Sequence, residues 1–113
     1  MLNSYENVMP VDKESADKMF LSKDFELICH ALVSVVFHEK DWKWVQDKCI
    51  SFLMNDNPDI SGLAATCLGH VARLHRQIEK ERVIILLRSR QNNVKIAGRI
   101  EDAINDIEMY AVD

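Results

Sequence analysis

The chain has 113 residues, enough for one compact domain with a real apolar core and too few for two. At 48% hydrophobic and 28% charged, with only three Gly and two Pro, it has the composition of a folded globular protein and not of a disordered one. A net charge of −4 excludes a molecule-wide electrostatic footprint for nucleic acid.

The opening stretch MLNSYENVMPVDKES lacks the basic and apolar regions of a secretory signal, and no apolar run reaches membrane-spanning length. A cytoplasmic location and no membrane contact are expected. Residues 1–13 read as an N-terminal tail and 14–113 as a single helical domain, with SADKMF suggesting a short helix over 14–21. A first long helix is predicted over 23–38, and DWKWVQDKCISFLM forms another in which Trp42, Val45, Cys49, Phe52 and Leu53 share one face. Trp44 falls on the opposite side with Asp47, Lys48 and Ser51. Either it is an exposed interface anchor or the N-terminal segment folds back over it. NDNPD at 55–59 ends that helix, with Asp59 as the expected N-cap of a third helix over 59–76. ERVIILLRSR is apolar on one side, QNN at 91–93 is a loop with Asn93 as the expected N-cap, and a last helix covers 95–110.

Three of these helices are copies of one pattern. A shift of 36 residues aligns Leu27, Leu63 and Arg99; Ile28, Ala64 and Ile100; Ala31, Cys67 and Ala103; Leu32, Leu68 and Ile104; Val35, Val71 and Ile107. Only Arg99 breaks the apolar character, and the spacing i, i+1, i+4, i+5, i+8 is one stripe of an α-helix. No segment alternates like a half-buried strand. The fold class is therefore all-α, a short α-α solenoid of about three helical hairpins. ISGLAATCLGHVARLH at 60–75 and IAGRIEDAINDIEMY at 96–110 resemble the second helices of HEAT repeats, and the resemblance spans about residues 23–111.

Chemistry-bearing residues fit structural roles better than catalytic ones. Cys29, Cys49 and Cys67 are odd in number and lie in apolar helical patterns, as reduced core residues would. Cys67, His70 and His75 span too wide an arc for one metal ion, and no CxxC or HxxxH adds a ligand, so no metal or other cofactor is expected. Cys29 and His30 are neighbours that point apart, which makes a poor nucleophile and base. Asp102 and Asp106 share a helix face, but acid–base work needs an enclosing pocket that a short, thin solenoid does not offer. Small Ala64, Ala65, Gly69 and Ala72 predict a close helix approach, since a mid-helix Gly costs about 1 kcal/mol without a packing reason.

Charge is segregated along the chain. His70 to Arg90 holds Arg73, Arg76, Lys80, Arg82, Arg88 and Arg90 against Glu79 and Glu81, whereas Glu101 to the end holds five acids and no Lys or Arg. The second helices of such a solenoid line its inner face, which would carry His30, Ser34, Thr66, His70 and Arg73 and end in acid. In size and layout the chain resembles small HEAT-like bacterial immunity proteins of contact-dependent growth inhibition and related polymorphic toxin systems. That resemblance implies a non-enzymatic, monomeric protein that binds and neutralises a cognate toxin domain, often a nuclease, without itself binding nucleic acid. The expected partner-binding residues are Glu101, Asp102, Asn105, Asp106 and Glu108, with Trp44 as an anchor and His70 and Arg73 beside them. The alternatives are a regulatory HEAT adaptor for a host protein, a lyase or chaperone-like HEAT enzyme with a pocket near His70, and, for the docking face, the basic stretch.

Overall fold

The computed structural model describes residues 9–112, which contain six α-helices and no strand. They are α1 (Lys13–Leu21), α2 (Phe25–His38), α3 (Trp42–Leu53), α4 (Pro58–His75), α5 (Lys80–Arg88) and α6 (Ala97–Tyr110). Residues 1–8 of the expected tail lie outside the described residues.

Local chemistry sets most of the helix starts. Asp12, Asp24 and Asp41 each accept a backbone N–H of the following first turn, which satisfies donors that have no intrahelical partner. For α4 the cap is Asn57 and not the expected Asp59, because Pro58 occupies the first helical position, where its missing N–H costs nothing. Asp59 sits one residue further in, its N–H donating to Asn57. The start of α6 also differs from expectation: Asn93 caps a preceding turn through Lys95 N–H, and the helix begins after Ile96 with no side-chain cap.

The helices pair as α1–α2, α3–α4 and α5–α6, and the second members α2, α4 and α6 pack side by side with α4 at the centre. Their common core is the predicted stripe: Ile28, Ala31, Leu32 and Val35, then Leu63, Ala64, Cys67, Leu68 and Val71, then Ile100, Ala103, Ile104 and Ile107. Hydrogen bonds between successive hairpins carry the same period. Lys43 to Glu79, Arg82 to Asp47, Arg90 to Asn55 and Arg76 to Tyr110 join residues 36, 35, 35 and 34 positions apart.

The seam between α4 and α6 is tight. A Cβ on Gly62 would lie 3.0 Å from Arg99 Cδ, and one on Gly69 would lie 3.0 Å from Asp106 Oδ2 and 3.2 Å from Ala103 Cα. The parallel register places the two glycines of α4 opposite Arg99 and Asp106 of α6, both pairs seven residues apart. The whole measures 30 × 29 × 26 Å, so the three hairpins of the short solenoid build a nearly isometric block, less thin than the repeat suggested.

Candidate protein-binding face

The outer side of the α2, α4 and α6 row gathers several of the expected residues. His30 of α2 is exposed, Thr66 and His70 of α4 are half-buried, Arg73 is exposed, and Asp102 and Asn105 of α6 are exposed. Ser34 is not on this face. It is fully buried, its hydroxyl donating to the Met9 carbonyl and accepting the Val11 N–H at 2.8 and 3.1 Å, which fastens residues 9–11 to α2.

At the α4–α6 seam the structure brings His70, Arg73 and Asp106 together. Arg73 bonds His70 Nδ1, the Phe37 ring of α2 lies 5.5 Å from the imidazole, and the Asp106 carboxylate fills the notch left by Gly69. Burial pulls the His70 pKa below its usual 6.5; Arg73 pulls the same way and Asp106 opposes both. The imidazole at this seam is thus biased toward its neutral form.

The five acidic-helix candidates do not form one patch. Glu101 turns toward the α5–α6 loop, where its carboxylate accepts from Gln91 Nε2. Glu108 borders a trough beside the first turn of α5. Asp106 turns the other way, over α4, leaving Asp102 and Asn105 on the solvent side between them. Among the described residues, four acids outside α6 are held in ion pairs. Asp17, Asp41, Asp47 and Glu79 pair with Lys48, Lys13, Arg82 and Lys43 across α1, α3 and the start of α5. Among the described residues no ion pair holds Glu101, Asp102, Asp106 or Glu108.

Trp44 lies apart from this face. It is half-buried against the core, with the Lys13 and Lys48 ammonium groups 5.4 and 5.3 Å from its ring centroid. Lys13 opens α1, so of the two sequence alternatives the geometry shows the N-terminal segment folded over the indole. Part of the basic stretch is likewise spent on neighbours: Arg76 bonds the Tyr110 carbonyl, Arg82 bonds Asp47 and Glu79, and Arg90 bonds the Asn55 carbonyl. The cysteines are packed as expected of core thiols. A hydrogen bond with Cys67, followed by burial, pushes the Cys49 thiol pKa well up, and burial raises that of Cys29.

Sequence reasoning missed Gln46 and the apolar side chains beside the acids. Gln46 is fully buried, a position that a polar residue in a polar stretch of α3 does not announce. Ile85 and Met109 are 68% and 70% exposed, one on each helix of the last hairpin. Their signal was present in ERVIILLR, five consecutive apolar residues of which one helix face can bury only some.

Neither a family model nor a curated protein sequence matches the chain. Among solved structures it is similar to a chain in the crystal structure of a CDI complex from Cupriavidus taiwanensis, with a TM-score of 0.83 and 24% identity over 98% of this chain and 100% of that one. The protein therefore shares its entire all-α arrangement with a component of that complex.

Proposed function

We propose that this protein is an immunity protein, which binds a cognate toxin domain in the cytosol and neutralises it by forming a non-catalytic complex. The observation that carries the reading is the end-to-end likeness to a chain of a CDI complex, covering all of that chain and 98% of this one. Contact-dependent growth inhibition pairs a toxin with its inhibitor, and a surface built for binding suits the inhibitor. The acids of α6 support that part. Asp17, Asp41, Asp47 and Glu79 are spent on the protein's own lysines and arginine, whereas Asp102 and Glu108 face solvent outside any ion pair among the described residues, in a stretch from Glu101 onward that holds no Lys or Arg. Unspent negative charge of this kind steers a basic partner and rejects partners of the wrong charge. A nuclease has a basic substrate cleft, which makes it the toxin class that such a face fits.

The test is co-purification of the tagged protein from its native host, followed by toxicity assays of whatever it captures. A near-stoichiometric toxin domain whose lethality this protein abolishes is the expected result. Capture of housekeeping proteins, with a growth defect on deletion in cells that meet no toxin, would replace the reading with a host adaptor. With the toxin in hand, Asp102→Lys with Asn105→Lys is expected to weaken binding by about 10-fold or more, mainly through slower association at low salt. Those two positions are preferred to Asp106, whose replacement would also disturb the packing at Gly69.

A further inference from the structure

The acidic side of α6 supplies charge but no apolar anchor, and Trp44 is half-buried beneath Lys13 and Lys48. Protein interfaces draw most of their energy from a few large side chains seated in pockets, with charge around them setting rate and selectivity. A trough of about 710 Å³ lies beside the first turns of α5, with Ile78 and Ile84 as its apolar surface and Lys80, Glu81 and Glu108 among its walls. Through Ile78 it continues into a second depression of about 420 Å³ bordered by Trp42, Gln77 and Val112. The helix beside it has apolar surface to spare: of Val83 to Leu87 only Val83 and Leu87 are buried.

The walls decide what fits. Glu79 and Arg82 are already matched to one another and to Lys43 and Asp47. Glu81, Glu108 and Lys80 are in no ion pair among the described residues, which leaves the trough wall with one net negative charge. A second copy of this chain would set these carboxylates against themselves. A segment carrying Lys or Arg beside a large apolar side chain would pair with them and fill the trough.

We infer that the trough between the start of α5 and Glu108 is an anchor site, which receives one large apolar side chain of the partner from a segment flanked by basic residues. The inference rests on the binding reading above for the partner's identity, but its chemistry is testable without the toxin. The probe is a fluorescein-labelled helical peptide of about 14 residues, roughly four turns, with Trp and Leu along one face and Lys elsewhere. The control keeps the apolar face and replaces every Lys with Glu. The Lys peptide is expected to bind the full-length protein with a Kd of about 10–100 µM by fluorescence anisotropy, and more weakly as salt rises. Backbone amide shifts should centre on residues 78–84 and 104–112.

Two variants separate anchor from charge. Ile84→Trp crowds the apolar floor of the trough, and Glu81→Lys with Glu108→Lys reverses its rim; each is expected to weaken the peptide about 10-fold with unfolding midpoints monitored alongside. Equal binding to Ile84→Trp, equal binding of the Glu peptide, or shifts centred elsewhere would overturn the anchor site. So would a concentration-dependent dimer that protects the same residues. None of these outcomes touches the co-purification result, and a failed co-purification leaves the peptide result standing.

Discussion

Gly69 shows how one missing methyl organises the surface around it. Without a Cβ, α4 lets the backbone of α6 approach at Ala103 and lets the Asp106 carboxylate lie beside His70. Gly69→Ala puts a carbon 3.2 Å from the Ala103 backbone, which cannot swing away, so we expect a loss of about 1–3 kcal/mol in urea unfolding. Gly98→Ala is the matched control. Nothing lies within 4 Å of its added Cβ, and replacing a helical glycine is expected to stabilise by about 0.5–1 kcal/mol. An equal effect of both substitutions would mean that helix propensity alone governs them. The need for a small residue at 69 was legible from the cluster of small side chains around it. Which side chain fills the notch was not, since Asp106 is 37 positions away and its direction depends on the packing angle of α6. The same limit applies to Trp44, because the helical wheel of α3 gives its side but not what α1 lays over it.

The start of α5 is held by a neighbouring element and not by its own cap. Glu79 occupies the N-cap without a capping bond, and its N–H donates instead to Gln46 Oε1 of α3 at 2.7 Å, while Gln46 Nε2 returns a bond to Glu79 Oε1 at 2.7 Å. Gln46→Leu removes both bonds and strands a backbone donor, for an expected cost of about 1–3 kcal/mol. Lys43, Gln46 and Arg82 together depress the Glu79 pKa from 4.5 to about 2. A folded-state pKa below the unfolded one means that the charged carboxylate favours folding at neutral pH, and that this contribution fades as pH falls from 4.5 toward 2. Thermal midpoints across that range should therefore fall less steeply in Glu79→Gln than in the parent; parallel curves would remove Glu79 as the source. Neither partner was legible in α3 or α5 read separately, because the reciprocal bonds require the 33-residue offset that stacking imposes.

For the whole molecule, stacking ranks the helices by how extensively their neighbours seal them. α4 packs extensively against α2, α3 and α6, whereas α5, nine residues long, packs sparsely against α3 and α6. Amide hydrogen exchange should thus be slowest in α4 and fastest, among the helices, in α5, with opening of α5 preceding global unfolding. Uniform protection across both would mean that the block opens only as a unit. The architecture was readable because the 36-residue period is imposed by the core itself, and the cross-hairpin bonds keep nearly the same spacing. The nearly cubic outline was not readable, since three hairpins are as deep as they are long. Sealing and display on α6 fall to different residues: Ile100, Ala103, Ile104 and Ile107 close the core, while Asp102, Asn105 and Met109 face outward. Recognition can consequently be rewritten without refolding. On the proposed binding reading, exchanging those three outward side chains is expected to alter partner affinity while the unfolding midpoint set by the glycine-lined seam beneath stays unchanged.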